Sequence, residues 1–164
     1  MNIIARPSKA PKIWKMAAAV ALVGVLAACS PMSIFSRTGD EEPLVPAEQL
    51  YASAVANMEN NRYIAAIENL ETLERQNPLS DVNERAKGMQ VFANFRLARF
   101  SEAARQADQF LALYPRSSEV PYILFLKGSS YFEQITDITR DQELAQDAIE
   151  TFTQLQASYP DSRY

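Results

Sequence analysis

Along most of this 164-residue chain the apolar residues recur at helical spacing. In YIAAIENLETLERQ, residues 63–76, Ile67, Leu70 and Leu73 form a stripe, with Glu74 as its charged edge. In FSEAARQADQFLAL, residues 100–113, Ala103, Ala107, Phe110 and Leu111 do the same. These intervals keep side chains on one face of a 3.6-residue helix, and the alternation of a half-buried strand is absent. Two more helices are expected at about 120–134 and 142–160, joined by the polar stretch QITDITRDQE, residues 134–143. Asp81 stands three residues before Glu84, a spacing suited to a capping pair at a helix start. The pattern predicts an all-α domain.

The helical part repeats itself. The copies are about 47–78, 84–115 and 120–160. Ala66, Ala103 and Ala148 each precede a proline by twelve residues: Pro78, Pro115 and Pro160. Tyr63 and Phe100 each sit three residues before the alanine of their copy. Small residues let two helices approach closely, an aromatic fills the space beside the turn, and proline cannot continue the second helix. In the third copy Gly128 and Tyr131 supply a small-x-x-aromatic step, while the first two copies place Ala54/Asn57 and Val91/Asn94 there.

These anchors resemble the tetratricopeptide repeat (TPR), a helix-turn-helix unit of about 34 residues. The resemblance implies a TPR-type helical solenoid of antiparallel helix pairs. The repeats are unevenly spaced, with 37 residues from Pro78 to Pro115 and 45 from Pro115 to Pro160. The extra length lies between the helices of the third copy, where an insertion serves either as a binding loop or as a tolerated surface loop. A solenoid needs a polar capping element, and none follows the third copy before Tyr164, so further repeats are expected beyond it.

Composition narrows the chemistry. The chain has no histidine and a single cysteine, Cys29, so Ser-His and Cys-His nucleophile arrangements and internal disulfides are excluded. None of the four glycines is spaced to cradle a phosphate. Asp137, Asp141 and Glu143 cluster in the long loop without the spacing of a calcium loop, and are read as helix-capping or solvated groups. No catalytic residue, metal site or dissociable cofactor is expected, and the chain is read as a non-enzyme. Residues 1–28 carry Arg6, Lys9, Lys12 and Lys15 and no acid, leaving 12 basic against 20 acidic residues in the rest. An acidic body argues against nucleic acid as a partner.

The basic start runs into MAAAVALVGVLAA, residues 16–28, which is too short for a membrane-spanning helix. A basic stretch, a short apolar stretch and small residues before a cleavage point describe a secretory signal. Leu26-Ala27-Ala28-Cys29 resembles the lipobox of bacterial lipoproteins. That resemblance implies a cleaved signal peptide over 1–28 and a covalent lipid on Cys29, S-diacylglycerol on the thiol and an acyl chain on the new amino terminus. Several acyl chains anchor stably, since each buried methylene contributes roughly 0.8 kcal/mol. Ser30 rather than aspartate after the cysteine points to the outer membrane. Residues 29–46, rich in proline, serine and acid, then read as a lipidated flexible tether, and 47–164 as the TPR-like domain.

A lipobox, a short acidic tether and irregular TPRs together resemble the BamD family, the TPR lipoproteins of the outer-membrane β-barrel assembly machinery. The segments ADQFLALYP, TRDQE and DAIETFTQLQASYPDSRY sharpen the match. The resemblance implies a non-enzymatic scaffold on the periplasmic face of the outer membrane. Its partners would be BamA, the other Bam lipoproteins and unfolded outer-membrane protein clients. The first helix of each TPR lines the groove, which on this register shows Tyr51, Phe92, Phe95, Arg96, Arg99, Tyr122 and Phe125, with Arg85 beside them. Aromatics beside arginines suit an extended segment rich in aromatics with a terminal carboxylate. Two other TPR adaptors share parts of the pattern. Pilus pilotins have more regular repeats, and Tol-Pal coordinators carry a coiled coil and lack a lipobox.

Overall fold

The computed structural model describes residues 44–164 apart from 138 and 140. The leader, Cys29 and the tether as far as residue 43 lie outside the described residues. The described part is built from helices paired in chain order: α1 (Ala47–Glu59) with α2 (Tyr63–Gln76), α3 (Asn83–Arg96) with α4 (Phe100–Leu113), and α5 (Val120–Glu133) with α6 (Gln142–Ser158). Each helix packs on the next, and α3 also touches α5. Among the described residues there is no strand, and no helix is long and apolar enough to cross a membrane.

The repeat anchors act as the sequence implies. Ala54, Ala66, Ala103 and Ala148 are buried, and so is Gly128. Each second helix stops two residues before its proline, at Gln76, Leu113 and Ser158. The cap residues Asn77, Tyr114 and Tyr159 share one non-helical conformation, with φ of −130°, −126° and −138° and ψ of 58°, 55° and 59°. The residue before a proline is barred from the α region, so the stop is local and repeats three times. The turns inside the first two pairs also match. Asn61 and Ala98 both take left-handed φ, 57° and 55°, and the next amide reaches back across the turn, Arg62 N–H to the Asn57 carbonyl and Arg99 N–H to that of Asn94.

Packing begins just ahead of α1. The Val45 amide donates to Gln76 Oε1 at 2.9 Å, and the Asn77 side chain donates to the Val45 carbonyl at 3.0 Å. One apolar cluster joins Leu50, Leu70, Leu73 and Val82, and a second joins Val91, Phe110, Ile123, Leu124 and Leu155. A third joins Tyr63, Ile67 and Ala93, and Phe92 packs against both it and the second. A buried polar contact fixes α3 on α4, with Asn94 donating to Gln106 Oε1 at 3.1 Å and Gln106 donating in turn to Glu102 at 3.0 Å.

The expected Asp81–Glu84 capping pair does not form. The residue before α3 is Val82, already helical at φ −81° and ψ −7°, and no side chain caps this end. The turn after Pro78 runs straight into the helix: the Ser80 amide donates to the Asn77 carbonyl, and the Asn83 amide to the Ser80 carbonyl. That leaves Asp81 in the turn, exposed and short of the cap position. Asp141 does occupy the residue before α6, yet its carboxylate turns back onto the loop and accepts from the amides of Thr136 and Asp137 at 2.9 and 3.0 Å.

The two buried helix glycines differ in a way that yields a paired prediction. A Cβ on Gly88 would meet the nearest side-chain atoms at 3.7 and 3.8 Å, ordinary contact. A Cβ on Gly128 would lie 2.7 to 3.0 Å from one whole edge of the Phe152 ring. Gly88→Ala should therefore stabilise the domain by roughly 0.5–1 kcal/mol through reduced chain entropy. Gly128→Ala should destabilise it by about 1–3 kcal/mol as the ring is displaced. Urea denaturation of the two variants, read by circular dichroism, should move the midpoint in opposite directions.

Candidate functional site

A row of aromatic rings and arginines crosses the first helices of the three pairs. It starts on α1, where the Arg85 guanidinium of α3 lies 5.0 Å over the Tyr51 ring. On α3, Phe92 packs edge-on to Tyr63 with centroids 6.2 Å apart, and Arg96 caps both rings, at 5.0 Å from Tyr63 and 5.6 Å from Phe92. Phe92 then meets Tyr122 of α5 at 6.5 Å. The row closes on Tyr164, which sits 4.9 Å from Tyr122 and stacks on Phe125 at 5.7 Å.

Helical spacing accounts for this alignment. Tyr122 and Phe125 are three residues apart on α5, and Arg85, Phe92 and Arg96 share one face of α3 at intervals of seven and four. Tyr51, Phe92, Tyr122 and Phe125 are half-buried, while Tyr63 is buried and Tyr164 is exposed. A cleft of about 220 Å³ opens in the row between Tyr51, Arg85, Met89, Phe92, Glu119 and Tyr122. Its walls offer aromatic faces, a guanidinium and a carboxylate. A guanidinium over a ring face contributes about 0.5–1 kcal/mol at an exposed site, and it leaves the guanidinium edge free for a carboxylate.

Two expected groove residues stand apart from the row. Phe95 packs edge-on against Phe100 at 5.5 Å, filling the turn of its own helix pair. Arg99 is the exposed residue ahead of α4, where its charge helps hold the Glu102 carboxyl below its ordinary value, after the larger effect of the Arg105 hydrogen bond. Tyr51, Phe92, Arg96, Tyr122 and Phe125 do come together. Sequence reasoning missed Tyr63 and Tyr164 as members. Tyr63 was assigned wholly to the turn, where its hydroxyl does donate to Asn61 Oδ1 at 2.6 Å. Tyr164 lies beyond the last helix, where helical spacing gives no signal.

Burial pushes the Tyr122 phenol above its ordinary value, and Tyr164 and Glu119 add to this while Arg96 and Arg163 oppose it. Among the described residues no group of acidic or sulfur side chains is arranged to hold a metal ion.

Comparison with known proteins adds a family. A family model described as outer membrane lipoprotein, YfiO, matches residues 43–164. The chain is similar to the outer membrane protein assembly factor BamD of Caulobacter vibrioides, 31% identical over 119 residues, covering 73% of this chain and 39% of that protein. It is similar to BamD of Rickettsia prowazekii, 25% identical over 154 residues, covering 93% and 59%. It is also similar to BamD of Vibrio cholerae, 26% identical over 139 residues, covering 79% and 58%. The chain thus spans about half the length of the curated relatives it matches.

The raised Tyr122 phenol has a pH consequence. The folded chain keeps this proton where the unfolded chain gives it up, so the contribution is intact below about pH 10 and is lost as pH rises through and above it. Tyr122→Phe should therefore lose less stability between pH 9 and pH 11 than the parent chain, as measured by the shift in urea midpoint. An equal loss in both would contradict the assignment.

Proposed function

The chain belongs to the YfiO family of outer membrane lipoproteins, and from that premise we propose that it is a non-enzymatic scaffold in the assembly of outer-membrane proteins. The observation that carries the reading is the match across the whole described helical domain, residues 43–164, together with relatives named as outer membrane protein assembly factors. In this reading the lipid on Cys29 holds the chain at the periplasmic face of the outer membrane, and the acidic stretch after it acts as the tether. Partners are BamA and the companion Bam lipoproteins, and clients are unfolded outer-membrane proteins.

The row on α1, α3 and α5 is the client surface in this account. Support comes from within the chain: the segment YPDSRY leaves α6 and lays an aromatic side chain, Tyr164, across Tyr122 and Phe125. An extended client segment carrying aromatics would meet the same chemistry further along, at Phe92, Tyr51 and the two arginines. Its terminal carboxylate would take the free edge of Arg96 or Arg85. In the long loop between α5 and α6, Asp141 accepts from the Thr136 hydroxyl and Asp137 from that of Thr139. The pilotin and Tol-Pal readings gain nothing from the comparisons.

Two outcomes follow. The tagged protein with Cys29 intact, purified from detergent-solubilised outer membranes, should bring down BamA and its companion lipoproteins. Recovery of a pilus secretin or of Tol-Pal components without BamA would refute the scaffold reading. Cys29→Ser should move the protein from the membrane fraction to the soluble fraction on cell fractionation, because a single substitution removes every acyl chain.

A further inference from the structure

A second cleft lies on another part of the domain, where α2 and α4 meet the start of α3. It holds about 210 Å³ and is lined by Leu70, Glu74, Pro78, Asn83, Lys87 and Tyr114, among others. The repeat allows a comparison within the chain, because the next junction is related to this one by the 37-residue offset. There the positions of Asn83, Ala86 and Lys87 are taken by Val120, Ile123 and Leu124, all buried in the apolar core. The first junction is thus built small and polar where the second is filled.

The polar groups are specific. Asn83 is 7% exposed, and its Nδ2 donates to the Asn77 carbonyl at 2.8 Å. That bond fixes the orientation of the amide, and it leaves Asn83 Oδ1 buried without a donor, the one such side-chain atom among the described residues. A buried acceptor left unmet is costly, and native folds supply partners for such groups. Around it the charge is mainly negative. Glu74 pairs with Lys87 at 2.6 Å, yet 47% of its side chain remains exposed, with room for a second cation. Glu84, in the first turn of α3, already answers the positive end of that helix. Burial raises the Tyr114 phenol, and Glu84 and Glu74 raise it further, so this hydroxyl stays neutral beside the acids. The remaining walls are apolar apart from the buried Gln90, and Leu113 at the cleft is 60% exposed. Leu79, adjoining Pro78, is 97% exposed.

We propose that this cleft is a docking site for a lysine or arginine side chain presented by a partner protein segment. The stem would lie against Leu70, Pro78 and Leu113, and the cationic head would supply the missing donor to Asn83 and a second partner to Glu74. An anion would instead face an unmet acceptor and two carboxylates, with the one cation of the lining, Lys87, already paired to Glu74. A free cation would leave the exposed leucines unused, whereas a segment with apolar residues flanking its basic one would cover them. The site is separate from the aromatic row, so its occupancy does not depend on the client reading.

The test uses the full chain in detergent micelles, labelled with nitrogen-15, and the acetylated, amidated peptides Leu-Arg-Leu, Leu-Gln-Leu and Leu-Glu-Leu. The arginine peptide should give saturable shifts of the Asn83 side-chain amide and the Gln90 and Tyr114 backbone amides. The glutamine and glutamate peptides should bind at least tenfold more weakly. Glu74→Gln should weaken the arginine peptide at least tenfold while leaving the spectrum folded. Asn83→Val with Ala86→Ile, which copies the second junction, should abolish the shifts. Spermidine should bind more weakly than the arginine peptide. The proposal fails if the three peptides bind alike, if no shift appears because the cleft holds only water, or if spermidine binds as well as the arginine peptide.

Discussion

Helices α1 to α6 can bury a continuous core only if the two members of each pair come close together, and the whole domain hangs on that approach. Small side chains at Ala54, Ala66, Ala103, Gly128 and Ala148 are buried in these pairs. At Gly128 a Cβ would have to displace the Phe152 ring. Close pairs then present apolar stripes to their neighbours, and each helix packs on the next along the chain. A single pair could not bury its own stripe, so stability belongs to the stack rather than to any copy.

The same constraint builds the aromatic row. With second helices stopped two residues before each proline, the first helices return at matching positions. Side chains on α1, α3 and α5 therefore line up across the domain. Aromatics there serve two ends at once, since one edge packs on the core and the other faces outward. Phe92 shows the dual use most plainly, as it touches two of the apolar clusters and also sits under Arg96. A surface of this kind is pre-formed, so a segment that lies on it pays less in ordering than one that must organise its own pocket.

Much of this was legible in the sequence, and the limits are physical. The helix pairs, their stops and the all-α architecture follow from local rules of spacing and from proline, so Tyr63–Gln76 and Phe100–Leu113 agree with the periodic stripes. Tyr51, Arg96 and Tyr122 could be placed on one face by register alone. Phe95 and Phe92 are three residues apart on α3, and which ring turns inward depends on a neighbour, Phe100, that spacing does not reveal. Arg99 falls past the end of the helix, where the left-handed Ala98 redirects the chain. The Asp81–Glu84 cap failed because helical backbone begins at Val82, a detail of the preceding turn. Tyr164 joins the row through the segment after α6, where the sequence carries no periodicity. The unmet oxygen of Asn83 is a fact of three-dimensional packing that no linear pattern carries.

The central claim is that the aromatic and arginine row on the first helices receives unfolded outer-membrane proteins. The most direct measurement places a photo-activatable phenylalanine analogue at Tyr51 or Tyr122 in living cells, with Ile149 of α6 as an exposed position away from the row. The account predicts crosslinks to newly made outer-membrane proteins from the two row positions and none from Ile149. Crosslinks from Ile149 alone, with the row silent, would contradict it.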